Sequence, residues 1–274
     1  MRADKVWCLL LGLALVAGCA RASILPALSG EAPGKPPVSI TPPLTSLPVG
    51  EELVYEVSWW GIPVGTATLQ TSKPSAKERR DLLELNFQAR SNWYLQALYP
   101  VRVRLTSWVD PSTAAPHRFE SYVRRHWREH ESIITFDRSM ATALHELPED
   151  KKVTVGIQPT TQDGLSMLYY VRTIPLELGK TVPLEISADG KNWALKGQVV
   201  RAHMLRVGRL GERPAVEGRV ELAYPVPFFH GAQARVWLSA DEDRIPLLAK
   251  IRCRIGPVTV VLVRRSVVGT RMAD

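Results

Sequence analysis

Period-two alternation of apolar and polar residues is the feature that most restricts the fold of this chain. In the stretch EELVYEVSWWGIPVGTATLQT, which begins at Glu51, the alternating side chains on one face are Leu53, Tyr55, Val57 and Trp59. Successive side chains of a strand point to opposite faces, so this pattern predicts a strand with one buried face. Glycine and proline then mark a turn, after which TATLQT returns as a second strand.

Short β-rich runs of the same kind fill most of the remaining chain, from LLELNFQAR and VRVRLTSWV to PLLAKIRCRI and VTVVLVRRSVV. The run SADGKNW, with Asp189 and Gly190, is typical of a tight hairpin because Asp-Gly tolerates positive φ. About a dozen such strands without intervening helical patterns predict an antiparallel all-β fold. Because so many strands need closure or cover at their edges, we predict an antiparallel β-barrel or a half-open curved sheet.

One short helix is predicted in QDGLSMLYYVRTIP. Asp163 can cap its first turn by accepting a backbone N–H. Leu165, Leu168 and Tyr169 fall on one helical face, and Pro175 ends the run.

The N-terminus has the pattern of an export signal. A basic start is followed by an uncharged run from Val6 to Val16, which is shorter than the about 20 apolar residues that span a bilayer. The next residues, VAGC, resemble a bacterial lipobox, and this resemblance implies lipid attachment at Cys19 after removal of residues 1–18. Ala20 stands where Asp would signal retention in the inner membrane, so we expect anchoring to the outer membrane. An ordinary secretory signal that happens to contain a cysteine is the alternative.

The chain then divides into three further parts. Residues 19–48 hold many prolines, and because proline fixes φ and lacks an amide donor, we predict an unstructured tether there. No second linker or internal repeat follows, so residues 49–269 are predicted to form a single β-rich domain. Residues 270–274 are left as a short C-terminal tail.

Four stretches of the chain resemble a known bacterial family. GEELVYEVSWWGIPVGTATL, VDPSTAAPHRFE, QDGLSMLYYVRTIPLELGKTVPL and VWLSADEDRIPLLAKIRCRIGPVTVVLV occur in the order found in the domain-of-unknown-function family 3108. Asp163, Arg172 and Trp237 lie in these stretches and are interpreted as structural motif residues. The resemblance implies an exported, β-rich envelope protein, and it implies no catalytic residue.

Basic residues recur on alternate positions of several predicted strands. The net charge is +8, and the candidate contacts to an anionic surface are Arg102, Arg104, Arg124, Arg128, Lys250, Arg252 and Arg254. If these strands are neighbours, their guanidinium groups suit lipid phosphates or acidic glycans. The alternative is a set of separate, solvated charges. We interpret residues 124–130 as one strand face, which leaves His126 and His130 too far apart to share a metal ion.

Aromatic residues suggest where an apolar partner would be contacted. The candidates for ligand or membrane contact are Phe228 and Phe229, in a loop rich in proline and glycine, together with Trp59 and Trp60. Ordinary core packing is the alternative interpretation of such residues.

The function that these patterns favour is non-catalytic. No Gly-x-Ser-x-Gly elbow, phosphate-binding glycine loop or metal-binding motif is found, so we predict no enzyme activity, no cofactor and no metal. We expect a lipid-anchored, periplasm-facing protein that binds or carries an apolar or amphipathic envelope molecule. A structural module that docks another envelope protein or a polysaccharide is the alternative. Nucleic acid is not expected as a partner.

Overall fold

A computed structural model describes residues 38–74, 81–98, 100–126, 128–222, 233–253 and 256–267. It contains fourteen strands, two α-helices and one 3-10 turn at Gly208–Leu210. The helices are α1 (Trp93–Leu98) and α2 (Ser166–Thr173). The strands are β1 (Glu51–Trp59), β2 (Ile62–Ser72), β3 (Leu83–Ser91), β4 (Val101–Val109), β5 (Pro116–Arg125), β6 (Arg128–Asp137), β7 (Thr142–Leu147), β8 (Lys151–Gly156), β9 (Thr181–Ala188), β10 (Lys191–Arg206), β11 (Glu212–Leu222), β12 (Gln233–Ser239), β13 (Pro246–Cys253) and β14 (Gly256–Val267).

All fourteen strands belong to one antiparallel sheet, in the order β8-β7-β6-β5-β4-β3-β2-β1-β14-β13-β12-β11-β10-β9. Except for β8 and β9, strands that are consecutive in the chain pair with each other, and β1 also pairs with the last strand, β14. The two edges are β8 and β9, which are joined in sequence by the segment that contains α2. The predicted all-β antiparallel fold is confirmed, in its half-open form.

The alternation seen in the sequence becomes the two faces of the strands. Leu53, Tyr55 and Val57 are buried, whereas the residues between them are at least partly exposed. The hairpin predicted from SADGKNW is also confirmed, because Asp189 and Gly190 have φ of 53° and 72° in the turn between β9 and β10. Two consecutive positive φ values match the twist of the flanking strands.

Two local predictions differ from the structure. The sequence indicated one helix, which is α2, but α1 forms a second one in the connection between β3 and β4. Residues 124–130 were expected to form a single strand face, yet His126 has a φ of 55° and lies in the turn that joins β5 to β6. The alternation continues across this turn, so periodicity alone could not reveal the reversal of the chain.

The sheet edges meet through side chains at the tip of the β9–β10 hairpin. His145 of β7 is fully buried, and its Nε2 lies 3.0 Å from the hydroxyl of Ser187 on β9. The Gly190 N–H donates to His145 Nδ1 at 3.2 Å, and the Asn192 amide donates to the carbonyl of Gly156 on β8. We call this contact region the seam.

The main hydrophobic core lies within the curl of the sheet. Its fully buried members include Leu53, Leu85 and Leu105 from neighbouring strands, and α2 contributes Leu165 and Tyr169 to the same cluster. Two smaller apolar clusters lie beside this core, one around Met167, Leu184 and Leu195 and the other around Val199, Val216 and Ala240.

Residues 38–48 lie against the body, although the sequence placed them in the tether. Leu47 is buried, and the N–H groups of Thr41, Leu44 and Leu47 donate to backbone carbonyls of the body at 2.8–3.2 Å. We call this segment the strap. The last strand ends at Val267, close to the predicted domain limit at 269, and residues 1–37 and 268–274 lie outside the described part of the chain.

Candidate functional site

A cavity of about 160 Å³ lies between α2 and the inner face of β9–β12. Its lining is almost entirely aliphatic, and Arg219 is the only charged residue among the described lining positions. The lining side chains and glycines from the strands are Val182, Leu184, Ile186, Leu195, Gly197, Val199, Val216, Gly218, Val220, Ala234, Val236 and Leu238.

Strand alternation explains why these positions face one space. The lining residues recur at every second position on each of the four strands, so that each strand presents one face to the cavity. Neighbouring strands align these positions in rows. Gly197 pairs with Val220, which pairs with Ala234, and Val199 pairs with Gly218, which pairs with Val236.

Small residues at the centre of these rows leave the space unfilled. Glycine in a strand interior provides no side chain to pack, and here Gly197 and Gly218 lie on adjacent strands. A Cβ built on Gly218 would approach only two carbonyl oxygens, each at 3.8 Å, so the local backbone does not require glycine there. The cavity is therefore a consequence of side-chain size and not of a special backbone conformation.

Helix α2 covers the cavity with its apolar side. Met167, Leu168 and Val171 line the cavity, while Leu165 and Tyr169 pack into the main core. The helix thus contacts two clusters at once, and its position determines how much of the inner face of β9–β12 is covered.

Asp163 holds the start of α2. Its carboxylate accepts from the N–H groups of Leu165 and Ser166 at 2.6 and 2.8 Å and from the Ser107 hydroxyl of β4 at 2.6 Å. The Asp163 N–H donates in return to Ser166 Oγ at 2.9 Å, which is a reciprocal capping arrangement. The capping role predicted from the sequence is thus seen in the structure. Burial raises the pKa of Asp163 to about 6, although these hydrogen bonds act in the opposite direction.

Arg172 holds the other end of α2 through a buried ion pair. Its guanidinium forms two hydrogen bonds with the Glu51 carboxylate at the start of β1, at 2.7 and 3.2 Å, and both side chains are 1% exposed. Its Nε also donates to the Asp243 carbonyl at 2.9 Å. Arg265 bridges the acidic groups, since it lies 3.1 Å from Glu51 and 2.7 Å from the Asp243 carboxylate. A buried charge needs such compensation, so this network fixes the helix against the sheet.

The seam positions the hairpin that carries the other side of the cavity. Because the Gly190 N–H donates to Nδ1 of His145, the ring is neutral and carries its proton on Nε2, which donates to Ser187. Ser187 in turn donates to the Asn192 side-chain oxygen at 2.8 Å. Burial lowers the pKa of His145 to about 4, which keeps this chain of donors intact at neutral pH.

A more polar groove of about 500 Å³ lies next to the cavity. The two spaces share Ile174, Val182 and Leu184 as lining residues, and the groove adds polar residues such as Thr160 and Lys180. An apolar space that adjoins a polar one suits a molecule with an apolar chain and a polar head.

The cavity provides an apolar binding surface. The described cavity lining contains no nucleophile or carboxylate, and Asp163 is enclosed by its hydrogen-bond donors. Within the described residues, no group of three or more His, Cys, Asp or Glu side chains is placed to hold a metal ion. Among these same residues, no helix is both long and apolar enough to pass through a membrane.

The structure separates the predicted basic residues into two groups. Arg102 and Arg124 are direct cross-strand partners on β4 and β5, and Arg128 begins the next strand. Lys250 and Arg252 lie on β13, which four strands separate from β4. Arg104 joins the first group and stacks on Tyr122, with its guanidinium carbon 4.5 Å from the ring centroid, whereas Arg254 lies outside the described residues.

The predicted aromatic and motif residues occupy several places. Trp59 is half-buried against the main core and Trp60 is 62% exposed in the adjoining turn. Asp163 and Arg172 are both at α2, and Trp237 is buried on β12. The predicted contacts Phe228 and Phe229 and the predicted lipid-attachment residue Cys19 lie outside the part of the chain that the structure describes.

Sequence reasoning did not identify the cavity-lining residues. The available signal was glycine within two β-rich runs, at Gly197 and Gly218, since an interior glycine weakens a strand unless something approaches it closely. Recognising that these glycines share one space requires the pairing of β10 with β11.

A crystal structure of similar fold agrees with this architecture. A crystallised β-barrel-like protein of the domain of unknown function DUF1849 from Brucella abortus superposes with a TM-score of 0.53 at 12% identity, covering 82% of this chain and all of that one. A Bacteroides fragilis protein described as exported, with a YmcC-like fold, has a TM-score of 0.33 at 9% identity over the same shares. No curated protein matches the chain in sequence. The model of the family described as protein of unknown function DUF3108 matches residues 54–263, and the chain therefore belongs to this family.

Proposed function

We propose that this protein is a lipid-anchored envelope protein that works without catalysis and carries an apolar or amphipathic molecule in the cavity beneath α2. The observation that carries the proposal is the aliphatic cavity between α2 and β9–β12. Cavities with such a lining stay dry and bind apolar molecules, because there are no polar groups to hold water.

The size of the cavity favours one part of a longer ligand. An enclosed apolar space of about 150 Å³ accommodates a molecule such as benzene, so about 160 Å³ suits the end of an acyl chain or a small ring. The rest of the ligand would follow the adjoining groove past Ile174 and Val182, where polar residues are available for a head group. This is the reason to favour an amphipathic ligand.

The proposed anchor gives such a protein access to its ligand. Acylation at Cys19 and transfer to the outer membrane would hold the domain close to a lipid surface on the periplasmic side. The strap supports this arrangement, because Val38 and Ile40 pack against Val199 and Val216, which also line the cavity. The chain leading from the lipid would therefore reach the domain beside the cavity.

The test is to extract lipid from the purified protein. The full chain is taken from membranes in mild detergent, washed, and extracted with organic solvent for mass spectrometry. We expect a bound amphipathic molecule in the native chain and its loss in Gly218→Leu, which places a side chain in the cavity. Gln198→Leu is the matched control, because it adds the same side chain at an exposed position of β10.

Two results would count against the proposal. Equal amounts of lipid in the native chain and both variants would show that the extracted lipid binds to the protein surface and not in the cavity. An empty native chain that crosslinks to another envelope protein would favour the docking module instead. Intact-mass analysis of the same sample tests the anchor, which requires a chain that begins at an acylated Cys19.

A further inference from the structure

Exposed aromatic side chains are concentrated at one end of the sheet. Among the described residues, the exposed aromatics are Trp60, Trp93 and Tyr94, and Trp93 is 83% exposed. Ile62, which is 59% exposed, begins β2 two residues after Trp60. Monomeric proteins seldom expose contiguous large apolar groups without a binding role.

Local hydrogen bonds hold the start of α1 against the start of β2 at this end of the sheet, and the Trp60 indole lies over Gly256 of β14. The Asn92 N–H donates to the Val64 carbonyl at 2.9 Å, and its side-chain amide donates to the Pro63 carbonyl at 3.0 Å. The Tyr94 hydroxyl also donates to this carbonyl. The rings of Trp93 and Tyr94 meet edge to face, with centroids 5.8 Å apart. We call this cluster of Trp60, Ile62, Trp93 and Tyr94 the aromatic end.

A row of arginines lies immediately below the aromatic end. Arg90 pairs with Arg102, and Arg102 pairs with Arg124, so that three exposed guanidinium groups follow one another across β3, β4 and β5. Each is the second residue from the strand end, which is within about 7 Å of the aromatic end along the strand. Arg124 has a carboxylate partner, Glu129 at 3.5 Å.

Like charges directly opposite each other destabilise a sheet, so a bound anion would stabilise this row. Arg90, Arg102 and Arg104 also line a surface groove of about 620 Å³ that begins beside the row. Guanidinium groups bind phosphate oxygens through two parallel hydrogen bonds.

We infer that the aromatic end and its arginine row form a second membrane contact, which docks on a bilayer surface containing anionic phospholipid. Tryptophan and tyrosine are the residues enriched at the membrane–water boundary, because each combines an apolar ring with a polar group. The three arginines, each the second residue from its strand end, would then reach the phosphate layer. The charge complementarity of the row selects a phospholipid surface over an uncharged apolar partner.

Vesicle sedimentation with the Cys19→Ser chain prepared without residues 1–18 tests this inference, because that chain has neither the acylation site nor the apolar run of the leader. Vesicles of phosphatidylcholine are compared with an equimolar mixture of phosphatidylcholine and phosphatidylglycerol. We expect binding to the mixed vesicles, weakened about tenfold or more by Arg90→Gln with Arg102→Gln. Arg209→Gln with Arg213→Gln removes the same charge from exposed positions elsewhere and should leave binding within about twofold.

A second pair of variants tests the aromatic residues. Trp60→Ala with Trp93→Ala should weaken binding to the mixed vesicles about tenfold. Met140→Ala with Leu178→Ala, which removes exposed apolar side chains at other turns, should not. The inference is overturned if the Cys19→Ser chain stays in the supernatant with both kinds of vesicle, or if control and test pairs lower binding equally. Circular dichroism of each variant confirms that the sheet is retained.

Discussion

The inner faces of β1–β6 and of β9–β12 follow the same period-two alternation, but they carry side chains of different size. On the first side, Leu53, Leu85 and Leu105 fill the interior and are at most 1% exposed. On the second side, Gly197 and Gly218 occupy equivalent inward positions and leave a cavity beneath α2. The comparison teaches that alternation determines which face is buried, whereas side-chain volume determines whether that face is packed.

The side of the sheet formed by β9–β12 lacks packing contacts that the side formed by β1–β6 has. A space of about 160 Å³ leaves the side chains that line it without the contacts of a close-packed interior, which lowers stability relative to a filled interior. Protein interiors are normally close-packed, so the space beneath α2 differs from the well-filled core beside it, and the proposed ligand would supply the missing contacts.

Loss of the buried ion pair between Arg172 and Glu51, which holds α2 over the cavity, should lower the free energy of unfolding more than any other change. Arg172→Met leaves Glu51 without the guanidinium that fills its buried environment, and we expect the free energy of unfolding to fall by about 4 kcal/mol. Urea unfolding of the Cys19→Ser chain measures this change. Arg209→Met, at an exposed position, should alter stability by no more than about 0.5 kcal/mol. Comparable losses for both variants would contradict the role assigned to the ion pair.

Shortening a buried side chain on the side formed by β1–β6 should show that this part of the interior has no spare volume. Leu105→Ala removes a side chain that is 1% exposed, and we expect a loss of about 3 kcal/mol in the free energy of unfolding. The same urea series gives the value. A loss below about 1 kcal/mol would mean that this side is also loosely packed, and the contrast with β9–β12 would disappear.

The pH dependence of stability tests the seam between the two sides. The unfolded chain binds the His145 proton more tightly than the folded one, because the folded pKa of about 4 lies below the ordinary value of about 6.5. Protonation of His145 therefore lowers the free energy of unfolding as the pH falls from about 6.5 to about 4. Asp163, with a folded pKa of about 6 against about 3.8, removes stability as the pH rises over nearly the same range.

These opposite slopes should give the native chain a shallow profile between pH about 4 and about 7. His145→Gln removes one of the two groups, so its stability should decline with rising pH by up to about 3 kcal/mol. Urea midpoints across this range provide the measurement. A variant profile parallel to that of the native chain would show that His145 does not titrate as its buried position requires.

Filling the cavity should have a smaller effect and the opposite sign. Gly218→Leu adds apolar contacts where a Cβ meets only ordinary distances, and we expect a gain of about 1–2 kcal/mol. Gln198→Leu, at an exposed position of the neighbouring strand β10, should change stability by less than about 0.5 kcal/mol. A destabilised Gly218→Leu would indicate that β11 has no room beneath α2.

The sequence was informative where local rules act. Alternation located the strands, Asp-Gly located the β9–β10 hairpin, and Asp163 and Pro175 bounded α2, because each depends on residues close in the chain. Contacts between distant residues were not accessible in this way. The pair formed by Glu51 and Arg172, far apart in sequence, depends on how the whole sheet curls.

The same limit applies to the candidate site. Gly197 and Gly218 each appear in the sequence as an isolated interruption of a strand, and only the pairing of β10 with β11 places them beside one space. The basic residues were grouped by the sequence, but the fold divides them. Arg102 and Arg124 are cross-strand neighbours, whereas Lys250 lies on β13, several strands away. Strand order, which alternation does not encode, decides both outcomes.

The contrast between the two sides is tested most directly by nuclear Overhauser effects between a bound acyl chain and labelled methyl groups. The Cys19→Ser chain, labelled at leucine and valine methyls, is mixed with a single-chain lipid that carries distinct isotope labels. We predict contacts from the acyl chain to Leu184, Leu195 and Val216 and none to Leu53 or Leu85. Contacts to surface methyls such as Val263 alone, or no contacts at saturating lipid, would contradict a ligand in the cavity beneath α2.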